Sequence, residues 1–118
     1  NTARRAKATK TALQAIGLHI YPSVSALSMT TIDDKDASKI RTALKEEYGV
    51  NVAGGQDHLK GKIFRINQMG LIPIHESLWV VNSIELTLHR MGRLEYTGLA
   101  SKVYNETYFL SALAKKEI

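Results

Sequence analysis

Arg65 is the residue of this sequence whose type and setting point to chemistry. It stands in the apolar run Lys62-Ile63-Phe64-Arg65-Ile66, behind a glycine-rich stretch that runs from Ala53-Gly54-Gly55-Gln56 to Gly61. In a strand the two-residue period sends Phe64 and Ile66 to one face and Arg65 to the other. The paired glycines Gly54 and Gly55 permit positive backbone dihedrals or a close approach of another group to the chain. An arginine turned away from a buried face beside such a turn offers a planar, permanently charged fork for bidentate binding of a carboxylate or phosphate. The alternative is a surface or ion-paired strand arginine, and spacing alone does not choose between the two.

Other chemistries lack their patterns. His19, His58, His75 and His89 include no pair at the spacing that sets two ligands on one helix face, and the chain has no cysteine, so no metal site is expected. His58, in the glycine-rich stretch, reads as a solvated loop residue, with the rim of a pocket near Arg65 as the sharper alternative. Asp33, Asp34 and Asp36 lack the glycine and distal glutamate of a calcium loop and read as helix caps. Ser23, Ser25 and Ser28 have no nucleophile elbow around them. Ile63, not Ser or Thr, follows Gly61-Lys62, which excludes a nucleotide-binding phosphate loop. Trp79 reads as core or domain-interface packing.

The elements that must position Arg65 follow from periodicity and breakers. Residues 2–16 read as a surface helix with a thin apolar stripe at Ala6, Leu13 and Ile16, closed by Gly17. A strand is expected over 24–32 with Leu27 and Met29 on one face, then a helix through Ala37, Ile40, Leu44 and Tyr48 stopped by Gly49. Short strands over 50–53 and 62–66 read as an antiparallel pair at the centre of the sheet. Pro73 opens a long helix whose Leu78, Val81, Ile84, Leu88 and Met91 face inward, ended by Gly92. A last helix is expected over 96–115, burying Leu99, Val103, Leu110 and Leu113. The fold class is α/β, as an α+β two-layer sandwich: a small, mainly antiparallel sheet of three to four strands covered by helices.

Composition bounds the function. At 118 residues, 44% of them hydrophobic and 23% charged, residues 1–118 read as a single globular domain with one modest core and not as a disordered segment. No apolar run reaches the length of a membrane span, so no membrane partner is expected. The net charge of +5 raises a nucleic-acid reading. However, the basic residues are spread among Glu46, Glu47, Glu76 and Glu85, with only Arg4, Arg5, Lys7 and Lys10 clustered, so solvated helix faces explain them and no nucleic-acid partner is expected. The absence of cysteine suits a cytoplasmic protein. A start at Asn1, without methionine or a signal-like stretch, leads to the expectation of a fragment, and the ending Lys116-Glu117-Ile118 is not a peroxisomal address.

One pattern ties these elements together. The helix end Tyr48-Gly49, a strand, Gly54-Gly55-Gln56, then Gly61-Lys62-Ile63-Phe64-Arg65-Ile66 and Met69-Gly70 resemble the C-terminal small domain of class V aminotransferases, nearest the alanine–glyoxylate and serine–pyruvate branch. The resemblance runs from the first helix to about Met91. It implies the C-terminal domain of the aspartate-aminotransferase superfamily fold, with a large domain outside this chain that holds pyridoxal 5'-phosphate and the Schiff-base lysine. It further implies a homodimeric enzyme that moves an amino group from an amino acid to a 2-oxo acid such as glyoxylate or pyruvate, the isolated chain being inert. By the same resemblance Arg65 binds the substrate carboxylate and Gly54, Gly55 and Gln56 shape the pocket. Asn67-Gln68 depart from the family's usual glycine, often followed by histidine, after Arg-Ile. Without the resemblance, a free-standing α/β small-molecule-binding or regulatory domain, with Arg65 on an acidic effector, is the alternative.

Overall fold

The computed structural model describes residues 2–20, 29–55, 61–67 and 74–110. Helix α1 (Thr2–Ala15) leads to strand β1 (His19–Ile20) and strand β2 (Met29–Asp33), followed by helix α2 (Ala37–Tyr48). Strands β3 (Ala53–Gly54) and β4 (Ile63–Asn67) precede helix α3 (Ile74–Arg90) and helix α4 (Leu99–Asn105), which runs on as a π-helical turn over Glu106–Leu110. The four strands form one antiparallel sheet in the order β1-β2-β4-β3. Its backbone is the β2–β4 pair, in register from Met29 opposite Asn67 to Asp33 opposite Ile63. Strand β4 is therefore interior, as expected, while β3 is an edge of only two residues and starts later than the 50–53 expectation. Residues 24–28 of the expected first strand, Pro73 and Leu113 lie outside the described residues.

The core gathers on one face of the sheet. Ile32, Phe64 and Ile66 meet Leu13 of α1, Ile40 and Leu44 of α2, Val81, Ile84 and Leu88 of α3, and Ala100 and Tyr104 of α4. Three helices end on glycines in the left-handed region, Gly17, Gly49 and Gly92, at φ +91°, +68° and +77°. At Gly17 and Gly92 the closing bonds are the paired ones of a Schellman turn: Gly17 N–H to Gln14 with Leu18 N–H to Leu13, and Gly92 N–H to His89 with Arg93 N–H to Leu88. The glycine is required there because a Cβ strains that conformation.

Two helical expectations are corrected. Helix α1 is not a surface helix: Ala6, Ala8, Thr9, Ala12 and Leu13 are buried, and it packs closely on α4. In α4 the buried residues are Ala100 and Tyr104, whereas Leu99 and Leu110 are 37% and 53% exposed and Val103 is half-buried. The small side chains of α1 explain the change, since Ala8 and Ala12 leave room in the core for the Tyr104 ring. Tyr104 stacks on Tyr108 with ring centroids 6.0 Å apart, and the Arg4 guanidinium lies 4.2 Å from the Tyr108 centroid, so the first and last described helices are tied by a cation–π contact.

Buried polar groups set the helix ends. Glu85, 1% exposed in the middle of α3, accepts the backbone N–H groups of Thr97 at 3.0 Å, Gly98 at 3.2 Å and Ala100 at 2.9 Å. One carboxylate thus satisfies three donors at the start of α4, which begins at Leu99 and not at 96. The aspartates before α2 do not cap it by the expected route. Asp36, the N-cap residue, makes no side-chain cap bond, and Asp34 accepts from the Asp36 N–H at 2.8 Å. Asp34 also takes both arms of Arg93, Nη1 to Oδ1 at 2.9 Å and Nη2 to Oδ2 at 2.8 Å. The turn at Gly92 delivers Arg93 to this pair, which locks the end of α3 onto the start of α2. Among the described residues no helix is long and apolar enough to cross a membrane.

Removing the Glu85 carboxylate leaves one buried and two partly buried N–H groups without their acceptor, so Glu85→Ala is expected to destabilise by about 1–3 kcal/mol, with a smaller loss for Glu85→Gln, measured by urea denaturation. Equal stability of Glu85→Ala and the parent would contradict this account. A second expectation concerns acid. Burial pushes the Asp34 carboxyl up, but the Arg93 hydrogen bonds, the Asp36 N–H and the charges of Arg93 and Lys35 outweigh it and hold it below the usual carboxylate value. Because the folded-state value lies below the unfolded one of about 3.9, the stabilisation is complete above that pH and is lost as pH falls through the folded-state value. Asp34→Asn should therefore lower the melting temperature at neutral pH, and its difference from the parent should close as thermal melts are carried towards about pH 2.

Candidate functional site

Strand β4 sets Arg65 beside the buried Ile63 on one face and apolar core residues on the other. Phe64 and Ile66 point into the core, and Arg65, between them, points to the other side of the sheet and is half-buried. Cross-strand pairing sets Ala53 on one flank of Arg65 and Thr31 on the other, and both share its face. The Nη2 group of Arg65 donates to the carbonyl of Gly54 at 2.9 Å, which gives the guanidinium a fixed anchor on the edge strand. Its Nε–H is buried and has no acceptor among the described residues. No carboxylate pairs with Arg65 there either. Asp33, on the same face of the sheet, pairs instead with His19 at 3.4 Å.

A half-buried guanidinium with a single backbone acceptor is under-satisfied. Leaving a buried donor unpaired costs about 1–3 kcal/mol, a deficit that an incoming anionic oxygen removes. A carboxylate or phosphate oxygen has the chemistry to satisfy that donor, and among the described residues Arg65 forms no ion pair.

Gly54 acts by proximity, not by dihedral. Its backbone is outside the left-handed region, in contrast to Gly61 at +79°. A Cβ built on Gly54 would lie 2.5 Å from Nη1 and 2.9 Å from Cζ of Arg41, so the missing side chain makes room for a second guanidinium. Arg41, on α2, donates its Nε–H to the Val52 carbonyl at 3.3 Å. Sequence reasoning missed Arg41. The available signal was a glycine in strand context, which marks close approach of another group. Gly55 is half-buried beside this contact, and Gln56, His58 and Lys60 lie outside the described residues.

The remaining candidates are not drawn to Arg65. Trp79 is 42% exposed, not core; its Nε1–H donates to the Tyr48 carbonyl at 3.3 Å and its ring meets Tyr48 edge-on at 6.0 Å. His89 Nδ1 lies 3.1 Å from the Leu94 carbonyl. Among the described residues no group of three or more His, Asp or Glu side chains is placed to hold a metal ion.

No family model matches the chain. An uncharacterized aminotransferase from Helicobacter pylori is 41% identical over 108 residues, a match to 92% of this chain and 29% of that protein. The ureidoglycine-glyoxylate aminotransferase of Bacillus subtilis superposes on 91% of the chain with a TM-score of 0.81 at 24% identity, through 29% of its own length. The pyridoxamine-pyruvate aminotransferase of Mesorhizobium loti superposes on 94% of the chain with a TM-score of 0.78 at 25% identity, through 30% of its own length. The chain is related to the class V aminotransferases and has the fold of their C-terminal small domain. It spans under a third of the length of the relatives it matches. A protein named soluble hydrogenase, small subunit, from Synechococcus is 34% identical over 98 residues, a match to 80% of this chain and 26% of that protein.

Proposed function

We propose that this small domain is part of a pyridoxal-phosphate-dependent aminotransferase and that Arg65 binds the carboxylate of its amino-acid and 2-oxo-acid substrates. The observation that carries the reading is a half-buried guanidinium that no carboxylate neutralises among the described residues and whose Nε–H has no acceptor there. Two parallel charge-assisted bonds to a carboxylate would satisfy that fork and fix the substrate's orientation, which is how positioning lowers a barrier. Glyoxylate and pyruvate are the acceptors this reading favours, since they appear in the names of the superposed enzymes.

The cofactor supplies the electron sink of such a reaction when bound. A phosphate is cradled by successive N–H groups where the backbone alternates between right- and left-handed conformations. Gly54 does not take a left-handed conformation and so forms no part of such a cradle, and no residue of the chain is assigned to the cofactor. In this reading residues 1–118 are one domain, and a larger domain of a homodimeric, cytoplasmic parent protein holds the cofactor.

Two measurements test the proposal. Arg65→Lys replaces a fork by a point charge and is expected to lose about 2–4 kcal/mol of transition-state binding, or roughly thirtyfold to a thousandfold in kcat/KM, in the full-length protein, with its melting temperature nearly unchanged. A substrate lacking the carboxylate should suffer far less from the substitution. Parental kcat/KM in Arg65→Lys, or its unfolding, would remove Arg65 from substrate binding. Pyridoxal phosphate added to residues 1–118 alone should give no stoichiometric lysine adduct on borohydride reduction; a single labelled lysine would move the cofactor site into this chain.

A further inference from the structure

Gly54 is held between two guanidinium groups on opposite faces of the sheet. On one, its carbonyl accepts from Arg65 Nη2. On the other, the side that Gly54 shares with its cross-strand partner Phe64, the Arg41 guanidinium fills the space a Cβ would take. Arg41 also bonds the Val52 carbonyl, one residue ahead of β3. That strand is two residues long, lies at the sheet edge and, among the described residues, pairs with β4 alone. So few ladder bonds leave an edge segment at the low end of local stability, and the carbonyl that anchors Arg65 is only as fixed as whatever tethers it. Helix α2 is a firm base for a tether, because Ile40 and Leu44, on either side of Arg41, are fully buried.

We propose that Arg41 is a positioning residue for Arg65. By clamping Val52 to Gly54 against α2, it holds the Gly54 carbonyl, and through it the Arg65 guanidinium, in the orientation that presents Nε–H to an incoming carboxylate. Arg41 acts through the strand and does not touch the ligand, since it lies on the helix side and Arg65 on the other. Glycine at 54 is then a requirement of the clamp, not of the backbone dihedral. This inference rests on the reading of Arg65 as the carboxylate binder.

The test uses the full-length protein with glyoxylate or pyruvate, whichever it turns over faster, as probe. Arg41→Met and Gly54→Ala should each raise KM for the probe about three- to tenfold with kcat within about twofold, because a binding geometry is loosened and no reacting group is removed. Arg41→Lys keeps a donor for the Val52 carbonyl and should recover most of the affinity. The Arg41→Met, Gly54→Ala double variant should be no worse than the poorer single one, since both break the same contact. Circular dichroism and thermal melts should show folded proteins, Arg41 being exposed. Parental KM in both single variants, beside a raised KM in Arg65→Lys, would overturn the positioning role and leave the carboxylate reading intact. Parental KM in Arg65→Lys, or no turnover of either probe, would overturn both. Loss of the fold in Arg41→Met would make Arg41 a stability element and refute the proposal.

Discussion

The structure depends on one strand being made to serve two environments. Strand β4 lies inside the sheet, paired on both sides, so its backbone groups are committed and its register cannot slip without turning every side chain over. Burial of Phe64 and Ile66 is what holds it there, and the same alternation puts Arg65 on the opposite face. The arginine's direction is therefore enforced by hydrophobic packing on the far side of the strand. The guanidinium gains a fixed orientation from residues on the other face of the sheet.

The helices are held over the sheet by apolar contact and kept in place by a few polar groups at their ends. Glu85 closes the turn into α4 from within the helical layer, and the Asp34–Arg93 fork joins the end of α3 to the start of α2. Both are cases in which a buried or half-buried charge is matched by several hydrogen bonds, the condition under which such a group is tolerated. Arg65 breaks that pattern. Arg93, an arginine of the same chain, has both arms on a carboxylate, whereas Arg65 has one backbone acceptor and an unpartnered Nε–H among the described residues, a contrast that supports the proposed carboxylate binding.

Family relationship and local chemistry point the same way but rest on different grounds. Identity of 41% to an aminotransferase and superposition on small domains of solved aminotransferases concern ancestry and fold. The carboxylate role concerns a guanidinium, an edge-strand carbonyl and the glycine that lets a second arginine approach. Neither would carry the other's conclusion. Both support the proposal that Arg65 binds a substrate carboxylate, each from its own side.

The local grammar of this chain was legible in its residues. Helix ends at Gly17, Gly49 and Gly92 could be read because a left-handed terminus selects glycine, the inward residues Val81, Ile84 and Leu88 because helical spacing selects them, and the facing of Arg65 because strands alternate. What tertiary structure decided is which partners meet. The choice of Tyr104 over Leu99 for the core depended on the small residues of α1. The use of Asp34 depended on Arg93, 59 residues away, and the start of α4 on a glutamate in another helix. At the site, sequence marked Arg65 and the glycine pair, but only the packing of α2 against the edge strand brought Arg41 onto Gly54, because a contact between a helix and a strand follows from the path of the chain and not from the spacing within either element.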